Sequence, residues 1–189
     1  MQNNLKRTFI AIRVFPDRNF LNEYQRIRTL LQTESIRWVK PENFHITLRF
    51  LGDTSEQEIG NISNMLDKGL SDVASFSFDI KGMDVFRSIR YPRVLWLGLT
   101  NTHDLLKLKT RVDESLGYLL KEQENNTFSP HLTLGRMKRI MNREIFRELI
   151  NDYRDHEFLK VQVNKVLFFE SVLNKQGATY KVISEHTIW

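Results

Sequence analysis

Residues 41–52, PENFHITLRFLG, decide how the rest of the chain is read. Pro41, Glu42 and Asn43 have the composition of a turn, and the residues after them alternate. Successive strand side chains point to opposite faces, so Ile46, Leu48 and Phe50 share one side and His45, Thr47 and Arg49 the other. The apolar side is expected to enter a core, which leaves an imidazole and a hydroxyl together on the opposite surface. The pattern occurs twice. His45-Ile46-Thr47-Leu48 returns as His131-Leu132-Thr133-Leu134, again behind a turn containing an aromatic residue, Phe128-Ser129-Pro130.

Outward from these two strands, β and α signals alternate. TFIAIRVF (8–15) is β-rich and stops at Pro16-Asp17, where Asp17 is placed to cap a helix with Phe20, Tyr24, Ile27 and Leu31 on one stripe. IRWVK (36–40) reads as a short strand. Thr54 or Ser55 caps a second helix carrying Ile59, Ile62, Leu66 and Leu70. FSFDIKGMDVF (76–86) and RVLWLGLT (93–100) read as strands, the latter apolar on both faces and therefore central in a sheet. Thr102 is placed to cap a third helix, with Leu105, Leu108, Val112, Leu116 and Leu119. A polar loop, QENNTFSP (123–130), leads to the second His strand. A shorter helix spans roughly Arg143 to Tyr153, with Ile145, Phe146, Leu149 and Ile150 apolar. FLKVQVNKVLFFESV (158–172) and ATYKVISEH (178–186) read as strands flanking a turn at Asn174-Lys175-Gln176-Gly177. No Pro-, Gly- or Ser-rich linker divides the halves, so residues 1–189 are expected to form a single bilobal α+β domain.

The 189 residues are 41% hydrophobic and 27% charged, which excludes a fully disordered chain. Zero Cys removes disulfides, thiol nucleophiles and Cys-based metal sites together. The 28 Lys and Arg against 23 Asp and Glu leave a net charge of +5, a bias that suits an anionic partner such as RNA. Arg87, Arg90 and Arg93, and Lys138, Arg139 and Arg143, are read first as solvated clusters and second as RNA contacts. No run approaches the ~20 apolar residues of a membrane span. Arg13 and Asp17 break the apolar run after Lys6-Arg7, which favours a buried first strand over a secretory signal. A soluble, cytoplasmic protein without membrane attachment is the expectation, as a monomer.

Histidine is the side chain whose ordinary pKa, about 6.5, lets it give or take a proton near neutral pH. Two in facing positions form an acid/base pair with no cofactor, and Thr hydroxyls beside them can donate to an oxyanion. Attack at phosphorus is in line, so a pseudo-twofold pair of strands would set one His on each side of it. No metal is expected, because neither tetrapeptide holds an acid and no His-x-His or His-Glu-x-x-His occurs. His103, His156 and His186 lie among polar neighbours and are expected to be exposed or capping. A Ser-His-Asp triad lacks a supporting Gly-x-Ser-x-Gly.

At these residues the sequence resembles the 2H phosphoesterase superfamily, and more narrowly the bacterial and archaeal RNA 2′,3′-cyclic phosphodiesterases, also called 2′-5′ RNA ligases. TFIAI (8–12), RWVKPENFHITLRFLGD (37–53), PRVLWLGL (92–99), FSPHLTLGR (128–136) and FESVLNKQGATYKVI (169–183) carry the resemblance in order along nearly the whole chain. It implies a pseudo-twofold fold of two antiparallel sheets facing a central cleft, helices outside, with one His-x-Thr-x strand from each half. It implies His45 and His131 as catalytic residues, His131 activating water and His45 protonating the departing ribose 3′ oxygen to leave a 2′-phosphate. The local sequence does not distinguish the two imidazoles, and their roles exchange in the ligation direction. Thr47 and Thr133 match phosphate-contacting threonines, and Arg136 matches an arginine that follows the second motif. Strict alternation would aim Arg136 away from His131, and Gly135 is where a bulge would turn it back. Arg49, by the same alternation, shares the side of His45, with a solvated rim position as the other reading. Tyr180 falls where the family often has an aromatic.

The implied activity is metal-independent hydrolysis of RNA 2′,3′-cyclic phosphate ends, on RNA or a nucleotide. ATP-independent 2′-5′ joining is the same chemistry reversed. A non-catalytic module that binds RNA ends is the remaining reading, and the presence of both His and both Thr argues against it.

Overall fold

A computed structural model describes residues 5–119, 128–174 and 177–189. Nine strands and four helices are described: β1 (Lys6–Arg13), α1 (Arg18–Leu30), β2 (Ser35–Trp38), β3 (His45–Thr54), α2 (Glu56–Leu70), β4 (Phe76–Phe86), β5 (Val94–Thr100), α3 (His103–Leu116), β6 (Leu132–Arg139), α4 (Arg143–Asp152), β7 (Glu157–Val163), β8 (Lys165–Asn174) and β9 (Gly177–Thr187). They make two antiparallel sheets, ordered β3-β1-β8-β9 and β2-β6-β5-β4-β7. The α+β class and the two-sheet architecture therefore follow the expectation. β5 is central, as its two apolar faces required.

The helices start where their capping chemistry sits. The Phe20 N–H donates to Asp17 Oδ1 at 2.8 Å. Ser55 and Glu58 form a reciprocal capping box at the head of α2, a device worth about 1 kcal/mol. Thr102 precedes α3 but makes no side-chain cap. Phe20, Tyr24 and Ile27 of α1, and Ile59, Ile62, Leu66 and Leu70 of α2, enter one core with the helix-facing residues of both sheets. Each fully buried side chain of this kind contributes about 1.5–3 kcal/mol. On α4 the stripe is narrower than expected, and Ile145 stays exposed.

Of three further readings, two are corrected. The long strand-like run 158–172 is two strands, broken at Asn164: β7 closes the five-stranded sheet and β8 lies inside the four-stranded one. Composition could not reveal a strand switching sheets. β8 and β9 pair up to Asn174 opposite Gly177, while Lys175 and Gln176 of the expected turn, and most of the 123–130 loop, lie outside the described residues. His186 is buried, not exposed: its Nδ1 lies 2.6 Å from Asp67 Oδ1 and its Nε2 2.9 Å from Ser184 Oγ. That relay ties β9 to α2 on the side of the sheet away from His45.

Each His strand carries a bulge at the last residue of its motif. In β3, Thr47 pairs with Ala11 and Arg49 with Ile10, so Leu48 is extra. In β6, Thr133 pairs with Trp96 and Gly135 with Leu95, so Leu134 is extra. Two adjacent residues then face the core, and alternation resumes in the opposite phase. Gly135 sits under the edge strand: a Cβ there would lie 2.6 Å from Ile36 Cγ2 and 3.3 Å from Trp38 Cε3. Gly135→Val is accordingly expected to destabilise the fold by about 1–3 kcal/mol through overpacking, read as a lowered urea midpoint with unchanged m.

Candidate active site

His45 opens β3 and His131 immediately precedes β6, in different sheets, and the two strands approach to within 8 Å between Cα atoms. Both rings are held by the same bond. His45 Nδ1 lies 2.7 Å from the carbonyl oxygen of Asn43, and His131 Nδ1 lies 2.8 Å from that of Ser129, in each case two residues upstream. A carbonyl only accepts, so Nδ1 carries the hydrogen in both, and the lone pair of each neutral imidazole is on Nε2.

Aromatic walls fix the ring planes. His45 packs against Phe9 at 5.1 Å and edge-on to Tyr180 at 5.0 Å. His131 stands edge-on to Phe86 at 4.7 Å, and Phe86 stacks on Trp96. Phe9, Ala11, Leu167, Phe169 and Tyr180 form a second apolar cluster, separate from the main core, on the face of the four-stranded sheet that carries His45. Tyr180 thus packs beside the ring. Nothing in the sequence singles out Phe9, Phe86 and Trp96; they lie on other strands, and only the pairing of strands brings them to the histidines.

Both imidazoles are held below the ordinary value of 6.5, chiefly by burial, with the carbonyl bond opposing. The positive charge of Arg136 lowers both further, and His131 and Arg13 add to the effect on His45. Arg136 also acts on Tyr180 in the other sheet. His45, His131, Tyr180 and Arg136 are therefore within electrostatic reach of one another across the two sheets. The Thr47 and Thr133 hydroxyls, half-buried beside the rings, make no protein hydrogen bond among the described residues.

The bulges redistribute the arginines. Arg136, out of phase in a regular strand, is turned to the His131 side. Arg49 is turned off the His45 side, because it follows the extra residue and pairs with the core-facing Ile10. Its guanidinium lies 3.7 Å from Asp113 of α3, and Asp113 also pairs with Lys109. Phe50, expected in the core, emerges instead on the His45 side, 58% exposed and 6.0 Å from Phe9. Counting from each histidine, Phe50 and Arg136 occupy equivalent positions.

Among the described residues no three His, Asp or Glu side chains gather as metal ligands would. His103 is exposed beside Asp104. It helps line a cavity of about 630 Å³ between α3 and the segment after α2, remote from the two motif histidines. His156 packs on Tyr153 and Phe158. No described helix is long and apolar enough to cross a membrane.

Residues 14–96 match the family model of LigT-like phosphoesterases. The chain is 35% identical to the RNA 2′,3′-cyclic phosphodiesterase of Thermotoga maritima, across 95% of this chain and 94% of that one. It is 31% identical to the protein of that name from Methanocaldococcus jannaschii, across 95% and 99%. In fold it is similar to TT0787 of Thermus thermophilus (TM-score 0.79, 23% identity, 96% and 97% of the two chains). It is also similar to E. coli LigT complexed with 3′-AMP (TM-score 0.76, 19% identity, 98% and 99%).

Proposed function

This chain belongs to the LigT-like phosphoesterases of the 2H superfamily, an RNA 2′,3′-cyclic phosphodiesterase by its relatives, and on that premise we propose how its own residues do the work. The cyclic phosphate of an RNA 3′ end sits between the Nε2 atoms of His45 and His131. One imidazole takes a proton from water as its oxygen attacks phosphorus. The other gives a proton to the ribose 3′ oxygen as the P–O3′ bond breaks in line, leaving a 2′-phosphate. Thr47, Thr133 and Arg136 hold the non-bridging oxygens, whose charge grows in the transition state. Placing water on the His131 side and the leaving oxygen on the His45 side follows the family resemblance; the near-symmetric geometry serves either order.

The observation that carries this reading is the shared tethering of the two rings. Both turn Nε2 away from an identical main-chain anchor, beside open hydroxyls and a common arginine. No metal ion is needed for any step, since the proton transfers and the charge stabilisation are all assigned to side chains.

Mass analysis of a short RNA ending in a 2′,3′-cyclic phosphate, with chromatography against 2′- and 3′-phosphate standards because the two isomers have equal mass, tests the proposal. The expected product gains one water, carries a 2′-phosphate and forms at the same rate with a chelator present. A 3′-phosphate product, or turnover abolished by chelation and restored by metal, contradicts it. Adding an RNA with a 5′-hydroxyl separates hydrolysis from joining.

The pH dependence follows from the depressed imidazoles. One histidine must be neutral and the other protonated, so kcat/KM is bell-shaped with its apex between their two pKa values in the free enzyme. Both lie below 6.5, and the apex is expected on the acid side of 6.5. A profile of kcat/KM against pH that peaks in the alkaline range contradicts the assignment.

A further inference from the structure

A cyclic phosphodiester carries one negative charge, and Arg136 already faces it. The surface beyond Arg136 is more basic than that charge requires. Arg37 of β2 stands directly opposite Arg136 in the antiparallel pairing. Ile36 and Trp38 pack on the core, so Arg37 extends from the other face, the face of Arg136. A further irregularity in the β2–β6 register, where Ser35 pairs with Arg139 and Ile36 with Met137, leaves Lys138 and Arg139 on that same face. All four cations are exposed, and none has an ion-pair partner among the described residues. The neighbouring acid, Glu34, is occupied: its carboxylate accepts from the main-chain N–H of Asn142 at 3.0 Å.

Like charges placed directly opposite on paired strands repel. Here nothing within the described chain relieves the repulsion. β2 is an edge strand, so the row of cations runs from the reacting phosphate to the open margin of the sheet. A free mononucleotide has no group to place along it. An RNA chain does, because it leaves the terminal nucleotide through its 5′ oxygen and adds one diester charge per residue.

Resting on the activity proposed above, we infer that Arg37, Lys138 and Arg139 form a phosphate-tracking strip for the RNA immediately upstream of the cyclic end. The substrate is then an RNA chain rather than a free 2′,3′-cyclic mononucleotide. Trp38 packs on the core, and among the described residues of β2 and β6 no aromatic side chain stands between these cations. The strip therefore reads backbone charge and is indifferent to upstream sequence. The other use of edge cations, blocking strand-to-strand aggregation, predicts no dependence on substrate length.

The test compares a nucleoside 2′,3′-cyclic monophosphate with an oligoribonucleotide of roughly ten residues bearing the same terminal nucleotide, over a range of NaCl concentrations. For the wild-type chain, KM for the oligonucleotide is expected to be at least about tenfold lower at low salt, and to rise steeply with salt. Arg37→Glu should raise that KM about tenfold and flatten its salt dependence, while leaving kcat and KM for the mononucleotide within about twofold. Arg37→Gln, a milder change at this exposed site, should move the same parameters less. Equal KM values for the two substrates in the wild type overturn the strip, as does an Arg37 variant that impairs both substrates alike. Turnover of the mononucleotide alone likewise refutes the strip and leaves the phosphodiesterase reading standing. Turnover of neither substrate refutes that reading itself.

Discussion

Replacing His131 with alanine is expected to lower kcat on RNA 2′,3′-cyclic phosphate by about 10²–10⁴-fold, the range a positioned general acid or base supplies. His45→Ala should cost a similar factor, because each imidazole serves one of two proton transfers in the same displacement. The two losses should not multiply. Once one transfer is left to bulk water, the remaining histidine has less to contribute, and the double variant should sit well above the product of the singles. Neither ring lies among the side chains of the main core, so the thermal unfolding of both variants should stay close to wild type. Retained turnover in both single variants contradicts the two-histidine account.

Arg136→Ala and Arg49→Ala should part company, although simple alternation in the sequence would assign the cleft to the second. Loss of Arg136 removes a charge-assisted contact to the phosphate, worth about 1.5–3 kcal/mol, so kcat/KM should fall about 10- to 100-fold with stability unchanged. It should also raise the pKa of both histidines, because its positive charge holds them down, and shift the kcat/KM profile toward alkaline pH. Arg49→Ala should instead leave KM near wild type and lower stability by about 1–2 kcal/mol. That substitution strands Asp113 without its partner on β3, although Lys109 remains beside it. Kinetics and urea unfolding on the two variants separate the roles. An Arg49 variant that loses affinity for substrate while keeping its stability would place the bulge wrongly.

The contrast between these arginines marks where the sequence stops being legible. Helix starts could be read because Asp17 and Ser55 announce themselves chemically, and the stripes behind them repeat at helical spacing. The two His strands could be read because the motif is duplicated, and the His–Thr pairing survives any register. A bulge inserts one residue and reverses the phase of all that follows, and neither Leu48 nor Leu134 differs in type from its neighbours. Arg49, Phe50 and Arg136 were therefore legible only as far as the bulge, with Gly135 the one local hint. The aromatic walls follow from sheet order, which brings Phe86 to His131 and Tyr180 to His45 across long stretches of chain. Asn164 gave no sign of redirecting β8 into the other sheet, because the polar residue continues the alternation of Lys160 and Gln162 and suits one long strand as well as two.

In the proposed mechanism, two imidazoles from different sheets address one phosphate. Long-range ¹H–¹⁵N NMR titration of His45 and His131, with and without a saturating nucleoside 2′-phosphate, measures this directly. Both rings should show the Nδ1–H tautomer and titrate below 6.5 in the free protein, and both should titrate at higher pH once the dianion is bound. If either ring keeps its titration curve while the ligand occupies the protein, the two histidines do not share a phosphate and the account fails.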